Sequence, residues 1–552
     1  MFETVMAITQ LCFTVVIGVY FLSMLKGRYS DKSSIYKEST RELERLKKLN
    51  NIKLTVPLTE KTRPSSVREI VGQEEGIKAL RAALCGENPQ HVLIYGPPGV
   101  GKTAASRVVL DEAKKKDISP FSRDAKFVEV DATTMQFDER SIADPLIGSV
   151  HDPIYQGAGA YGPAGVPQPK EGAVTRAHGG VLFIDEIGEL HNLQMNKLLK
   201  VLEDRRVYFD SAYYSRSNKE IPRHIHEMFE NGLPADFRLI GATTRSPEEI
   251  PPALRSRCVE IFFRPLSRED VKSIACGAAE KSCFEFADEI FDLVAEYAES
   301  GRDAVNIIQT TASVAKLENR PRAELCDAEW VIETGKYSPR IDRRLSRAGR
   351  VGCVCGLAVG GSRVGFVLDI EATAERTMPG GGRLRVTGAV EEEEISVGSR
   401  KLRRRSSISA SVENAVTVLK NIFGIDAGSY DIHISFPSGA PADGPSAGAA
   451  IFCAVYSAIR NVPVSGALCM TGELSIKGEV RAVGATAEKV RAAALAGAER
   501  VLIPAANMRE SFEKMSVEVV PISRISEVVD IICGDNTDID IINSDNIGTI
   551  SA

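Results

Sequence analysis

The stretch His91-Val-Leu-Ile-Tyr95-Gly96-Pro97-Pro98-Gly99-Val100-Gly101-Lys102-Thr103 is an apolar run that breaks into a glycine-rich turn ending in Lys-Thr. The run reads as a buried strand, and the turn matches the eight-position phosphate-binding loop. Its glycines let backbone N–H groups approach phosphates, Lys102 can reach the β- and γ-phosphates, and Thr103 can ligate Mg²⁺. Downstream, the apolar run 181–184 ends in Asp185-Glu186. There Asp185 would hold the Mg²⁺ shell and Glu186 would polarise the attacking water. Runs 127–130 and 238–241 are further candidate strands. Their alternation with helical patterns from residue 71 to about 265 predicts a parallel sheet with crossover helices.

Three segments beyond these carry arginines or threonines at telling places. They are Leu239-Ile-Gly-Ala-Thr243-Thr244-Arg245, Leu254-Arg255-Ser-Arg257-Cys258 and Gly301-Arg302-Asp303-Ala304. With them the chain resembles the AAA+ superfamily of ring-forming ATPases. The resemblance implies that Thr244 is the sensor-1 residue near the γ-phosphate, where many members carry Asn. It implies Arg257, with Arg255 second, as the finger offered to a neighbour's ATP, and Arg302 as sensor 2 at the start of a lid helix. Residues 266–335 lack strand signals, and 271–280, 287–299 and 303–317 have helical periodicity, so a small helical lid is expected. Between the nucleotide motifs lies a glycine-dense stretch, 147–162, whose Tyr155 and Tyr161 are candidates to grip a substrate chain or to pack as ordinary loop residues.

From residue 351 a second β-rich pattern begins. It contains Asp443-Gly-Pro445-Ser446-Ala-Gly448 at the head of a small-residue helix. A serine there points outward near free backbone N–H groups, which can stabilise an oxyanion. It needs a base. Of the seven histidines only His433 lies in this half, whereas Lys489 follows on a helix of apolar and alanine neighbours. A lysine acts as a base near neutral pH only when burial disfavours its ammonium form. From composition alone a solvated helix cation is equally open.

The run from Asp431 to Gly448, Thr471-Gly-Glu473 and Gly484 to Lys489 together resemble the Lon protease domain, an α+β domain. The resemblance implies a Ser446–Lys489 dyad, with Thr471 near the lysine amine and Asp443 and His433 near the wall of the site. One departure is visible: the family often has Gly-Gly where this chain has Gly484-Ala485. The resemblance covers residues 56–533. The large N-terminal substrate-binding region of soluble Lon enzymes has no counterpart here, and archaeal Lon enzymes place their spanning helices inside the ATPase domain. The pattern resembles the bacterial LonB type known from spore-forming lineages.

The N-terminus supplies the remaining distinction. Residues 5–25 carry no charge and only Gln10 as a strongly polar side chain. At ~1.5 Å per residue they span the ~30 Å hydrocarbon core of a bilayer. Glu3 precedes them and Lys26, Arg28 and Lys32 follow, so the positive-inside rule places the N-terminus outside and everything after residue 25 in the cytoplasm. A cleaved signal peptide or a buried helix is the rival. The expected organisation is a single-pass anchor in the cell membrane (5–25), a charged helical linker (26–55), an AAA+ α/β body (56–265), a helical lid (266–340), a Ser–Lys protease domain (345–535) and an acidic tail (536–552).

A net charge of −6 gives no footprint for nucleic acid. The eleven cysteines show no zinc-type or paired spacing; Cys353-Val-Cys355 is too closely spaced for a ligand pair, and most of the others read as small core residues in a reducing compartment. Arg400-Lys401-Leu-Arg403-Arg404-Arg405, after the acidic run 391–394, reads as a solvated loop of opposing charges. The functional expectation is an ATP-dependent serine endopeptidase that uses ATP and Mg²⁺, forms a homo-oligomer (a hexamer) and degrades unfolded or tagged proteins. The rivals are a non-proteolytic AAA+ remodelling motor with an inactive Lon-like domain, acting as an unfoldase or on DNA, and a tethered unfoldase serving a separate peptidase.

Overall fold

The structure, a computed structural model, describes residues 10, 13–21, 43–49, 51, 55–135, 144–151, 168–211, 214–217, 221–340, 345–360, 365–388, 392–397, 400–405, 407–437 and 444–534. Tyr155, Tyr161, Asp443 and the acidic tail lie outside the described residues. Met1–Lys61 forms one unit and Thr62–Ala552 another. In the first, 13–21 and 43–49 are helical. Phe13, Val16, Ile17 and Phe21 are exposed there, as are Leu43, Leu46 and Leu49. Among the described residues no helix is long and apolar enough to cross a membrane; of residues 5–25 only 10 and 13–21 are described.

The second unit opens with helix α1 (Glu74–Leu84), strand β1 (His91–Tyr95) and helix α2 (Lys102–Ala113). Strands β2 (Phe127–Asp131), β3 (Val181–Asp185), β4 (Arg238–Thr243) and β5 (Cys258–Phe262) complete a parallel sheet of order β2-β3-β4-β1-β5. Continuous apolar runs form these strands because helices cover both faces of a parallel sheet; Leu93, Ile94, Leu182, Phe183 and Ile240 are fully buried. A helical lid follows: α3 (Arg268–Ser282), α4 (Glu289–Tyr297), α5 (Gly301–Leu317) and α6 (Leu325–Gly335). Two short strands, Glu285–Phe286 and Arg322–Ala323, pair within it, a correction to the all-helical expectation. At two residues each, they are too short to leave a pattern.

The remaining part is built on a seven-stranded mixed sheet. Its strands are β6 (Cys353–Val359), β7 (Gly365–Arg376), β8 (Leu384–Thr387), β9 (Tyr430–Ser435), β10 (Leu468–Met470), β11 (Arg500–Pro504) and β12 (Glu518–Ile522), in the order β8-β9-β7-β6-β10-β11-β12. Period-two alternation sends neighbouring residues to opposite faces. Val354, Leu468, Met470 and Leu502 join one core with helices α7 (Ser407–Phe423), α8 (Gly448–Arg460) and α10 (Ile525–Gly534). Cys355, Cys469, Val501 and Ile503 join the other with α9 (Thr486–Leu495). Five cysteines, Cys85, Cys353, Cys355, Cys453 and Cys469, are buried as core residues.

The charged stretch read as a loop is instead an antiparallel hairpin, Glu392–Val397 with Arg400–Arg405. Its register sets Glu392, Glu393 and Glu394 opposite Arg405, Arg404 and Arg403. The acidic and basic runs thus align at paired register positions, an order that composition alone does not reveal.

Candidate active sites

The nucleotide motifs converge at the carboxyl ends of β1, β3 and β4, where ligands of open α/β sheets bind. The loop Gly96–Thr103 joins β1 to α2, whose first N–H groups face it. Gly99 has φ +71° and a Cβ there would stand 2.7 Å from Ser300 Cβ, so the loop can touch the lid only through a glycine. Gly301 at the start of α5 donates its N–H to the Gly99 carbonyl at 3.3 Å. Arg302 is exposed on that same first turn.

Lys102 is 7 % exposed. Its Nζ donates to the carbonyls of Gly96 (2.7 Å) and Pro97 (3.0 Å). Burial pulls its pKa below the ordinary lysine value, with Glu186 and Asp185 opposing that shift. Asp185 is raised, by burial first and by Glu186 second. A half-buried carboxylate beside a second one fits a hard divalent cation, and Thr103 and Asp185 are the oxygen donors that would hold Mg²⁺. Pro98 and Val100 complete the turn; Val100 is buried. Glu186 sits at φ +47°, and its Oε2 accepts from both the N–H and the hydroxyl of Thr244, each at 3.1 Å. Thr244 is therefore tied directly to the Glu186 carboxylate.

The two finger candidates separate cleanly. Arg255 Nε donates to Glu260 at 2.7 Å, and Tyr95 donates to the same carboxylate oxygen at 3.0 Å. That network is internal. Arg257 is bonded to Glu203 and to the Ala253 carbonyl. It immediately precedes β5, whose Cys258 is in register with His91 at the start of β1. The P-loop follows the other end of β1, so Arg257 stands roughly 15 Å along the sheet from its own phosphate loop.

In the second site Ser446 lies in a 3₁₀ turn, Pro445–Ala447, that leads into α8. Lys489 lies on α9, on the buried stripe Thr486, Lys489, Val490, Ala493. That spacing is the apolar face of a helix, and a lysine within it was a readable sign of burial. Lys489 is 3 % exposed, and burial lowers its pKa to about 8. Its Nζ donates to Thr471 Oγ1 at 3.1 Å. Thr471, fully buried, donates its hydroxyl to the Ser446 carbonyl at 3.3 Å. Gly472 donates its N–H to that carbonyl at 2.9 Å, and Thr471 N–H pairs with Leu502. The helices of Ser446 and Lys489 lie on opposite faces of the sheet, and the end of β10 connects them. His433 is not brought to this cluster: it is exposed on β9 and bonded to Thr387 at 3.0 Å.

The backbone conformation of Ala485 and the role of Asn507 escaped the sequence reading. Ala485, standing where the family often has glycine, adopts φ +52° at the N-cap of α9, a conformation that costs a residue with a Cβ about 1–2 kcal/mol. The Oδ1 of Asn507 accepts from Val483 N–H at 2.8 Å and its Nδ2 donates to the Val483 carbonyl at 3.0 Å. The Ala485 carbonyl then accepts from Lys489 N–H at 3.2 Å. Asn507 thus fixes the chain that starts the lysine helix, from a position distant in sequence where no local pattern marks it. Replacing it with Ala is expected to lower peptide cleavage about ten- to hundredfold through misplacement of the amine. ATP hydrolysis should stay at the wild-type rate; parallel peptidase and phosphate-release assays check this.

The chain matches the family model described as "Lon protease (S16) C-terminal proteolytic domain" over residues 333–534. It also matches "Magnesium chelatase, subunit ChlI" over residues 66–247. It is 53% identical to Lon protease 2 of Bacillus subtilis (strain 168), with 94% of each chain covered. The Archaeal Lon protease of Methanothermobacter thermautotrophicus is 30% identical over 70% of this chain and 63% of its own. That of Archaeoglobus fulgidus is 30% identical over 72% and 68%. A solved RuvB mutant from Thermogota maritima overlays 51% of this chain and 77% of its own at TM-score 0.35 and 21% identity, a likeness too loose to bear weight.

Proposed function

We propose that this chain, which belongs to the Lon protease family, cleaves polypeptides with Ser446 as nucleophile and Lys489 as its base. It is an ATP-dependent serine endopeptidase. The observation that carries the assignment of residues is the buried amine of Lys489, tied through Thr471 to the backbone of Ser446. A buried amine with its pKa lowered to about 8 is neutral in an appreciable fraction near neutral pH. Neutral Lys489 takes the proton of the Ser446 hydroxyl as its Oγ attacks the scissile carbonyl. Lys489 returns that proton to the leaving amine, and water, deprotonated by the same lysine, releases the acyl group. Thr471 holds the amine while its own hydroxyl points to the Ser446 carbonyl.

In the ATPase body Glu186 orients the attacking water, while Lys102 and the N–H groups opening α2 bind the phosphates. Mg²⁺, when bound by Thr103 and Asp185, would neutralise developing phosphate charge. Arg257, far from its own phosphate loop, serves a neighbour's nucleotide, which requires an oligomer; we assign a ring-shaped homo-hexamer. The substrates are unfolded or tagged proteins. We place the chain with the membrane-anchored bacterial LonB type: residues 5–25 cross the cell membrane once and the catalytic body lies in the cytoplasm. The exposed apolar side chains of helical residues 13–21 support that reading.

A serine-reactive fluorophosphonate probe tests the nucleophile. The adduct is expected at Ser446, located by mass spectrometry, together with loss of ATP-driven degradation of an unfolded protein. An adduct at another serine with full loss of degradation would refute the assignment.

A further inference from the structure

The helix that carries Lys489 is held from outside the protease sheet at two places. Arg491, two residues beyond the lysine, pairs with Glu75, Nη2 to Oε2 at 2.9 Å. Glu75 lies in the first turn of α1. Just before it, the Gln73 side chain clasps the backbone of Arg264, donating to its carbonyl at 2.7 Å and accepting from its N–H at 3.1 Å. This joins α1 to the segment that leads from β5 into the lid.

The second hold is at the other end of α9. Leu345 donates its N–H to the Ala496 carbonyl at 2.9 Å and packs against the cluster containing Val490 and Ala493. Five residues earlier, Arg340 is bound into the lid through the carbonyls of Glu296 (2.8 Å, from its N–H) and Leu266 (2.7 Å, from Nη2). The lid in turn meets the phosphate loop through Gly301 and Gly99. Within the sheet, β7 presses on the same helix: a Cβ at Gly365 would stand 2.2 Å from the Glu488 carbonyl. Helix α9 has little room to move except together with these contacts.

We propose that α9 couples the nucleotide cycle to catalysis: a shift of α1 and the lid is passed through the Glu75–Arg491 pair and the Leu345 tether to the position of Lys489. This inference rests on Lys489 being the base. Glu75, Arg491 and Leu345 are positioning residues; none touches the reacting atoms. The ion pair is exposed, at 52% and 78% of its two side chains, so it adds little to folding stability. Reversing a charge there therefore perturbs the linkage and leaves the fold in place.

The test uses the full-length protein and a short fluorogenic peptide that needs no unfolding. Arg491→Glu and Glu75→Arg are each expected to reduce ATP stimulation of peptide cleavage about two- to fivefold. ATP hydrolysis and nucleotide-free cleavage should be unchanged. The double swap should restore stimulation, which a merely structural role for either residue would not produce. Unchanged stimulation in both single variants, or no restoration in the double, would overturn the coupling. Lys489→Met serves as the separate control. Retained cleavage in that variant would sink the catalytic assignment beneath the inference, whereas a dead control with unaltered stimulation in the swaps sinks the coupling alone.

Discussion

Lys489→Met will lose about a thousandfold or more in peptide cleavage while hydrolysing ATP at the wild-type rate. A positioned general base contributes roughly 10²–10⁴-fold, and this variant also removes the hydrogen bond to Thr471. Met has similar length and no charge, so it suits a site that is 3 % exposed and fills the space without a cavity. The same amine predicts the pH profile. Burial lowers its pKa to about 8, and only the neutral form can accept the serine proton. Activity therefore rises with pH through that value. From pH 7 to pH 9 the neutral fraction grows about tenfold, from roughly one-tenth to nine-tenths. Initial rates on a short peptide, measured without ATP to exclude effects on the motor, give the curve. A flat profile across this window, or near wild-type cleavage by Lys489→Met, would remove the lysine from the chemistry.

Glu186→Gln should stop ATP hydrolysis by about 10²–10⁴-fold and leave nucleotide binding intact. The amide oxygen of Gln can still accept from the N–H and hydroxyl of Thr244, which now bond Glu186 Oε2, so the local fold is kept. What is lost is the negative charge that, in the proposed role of Glu186, polarises the water. Phosphate release and the binding of a fluorescent ATP analogue separate the two functions. Degradation of a stably folded substrate should fall together with hydrolysis, because pulling a chain needs repeated cycles. A short peptide needs no pulling and should still be cut. Loss of nucleotide binding in this variant would instead make Glu186 a structural partner of Thr244.

The two sites differ in how far the sequence exposed them. The phosphate loop was legible because its chemistry is local: β1, the glycine turn and the first turn of α2 are consecutive, and β3 announces its carboxylates at its end. Strand β5 was not read, since Arg255 and Arg257 drew the reading of that segment toward a finger. Helix α6 was not read either; it follows directly on a two-residue paired strand. In the protease part, Ser446 could be placed by its turn and helix, whereas Lys489 alone allowed a solvated cation. Only the buried stripe through Thr486, Val490 and Ala493 decides that point. Thr471 came from resemblance, and its bridging role depends on where β10 ends in space. Asn507 and the Glu75–Arg491 pair join segments far apart in the chain, and such partners leave no trace in periodicity or composition. The substitution of Ala485 for a glycine was visible in the sequence, but its cost lies in a backbone angle that only the fold supplies.

The end of β10 has a consequence for how this family can vary. Met470, Thr471 and Gly472 are consecutive, yet they serve the core, the amine and the serine carbonyl in turn. Met470 closes β10, and the other two residues follow directly from it. A buried Met470, the Thr471 hydroxyl and a Gly472 whose Cβ would stand 2.5 Å from Val480 leave little choice of side chain, and inserting or deleting a single residue would hand each task to the wrong neighbour. The length of this segment, as much as its composition, is what evolution or an engineer must leave alone.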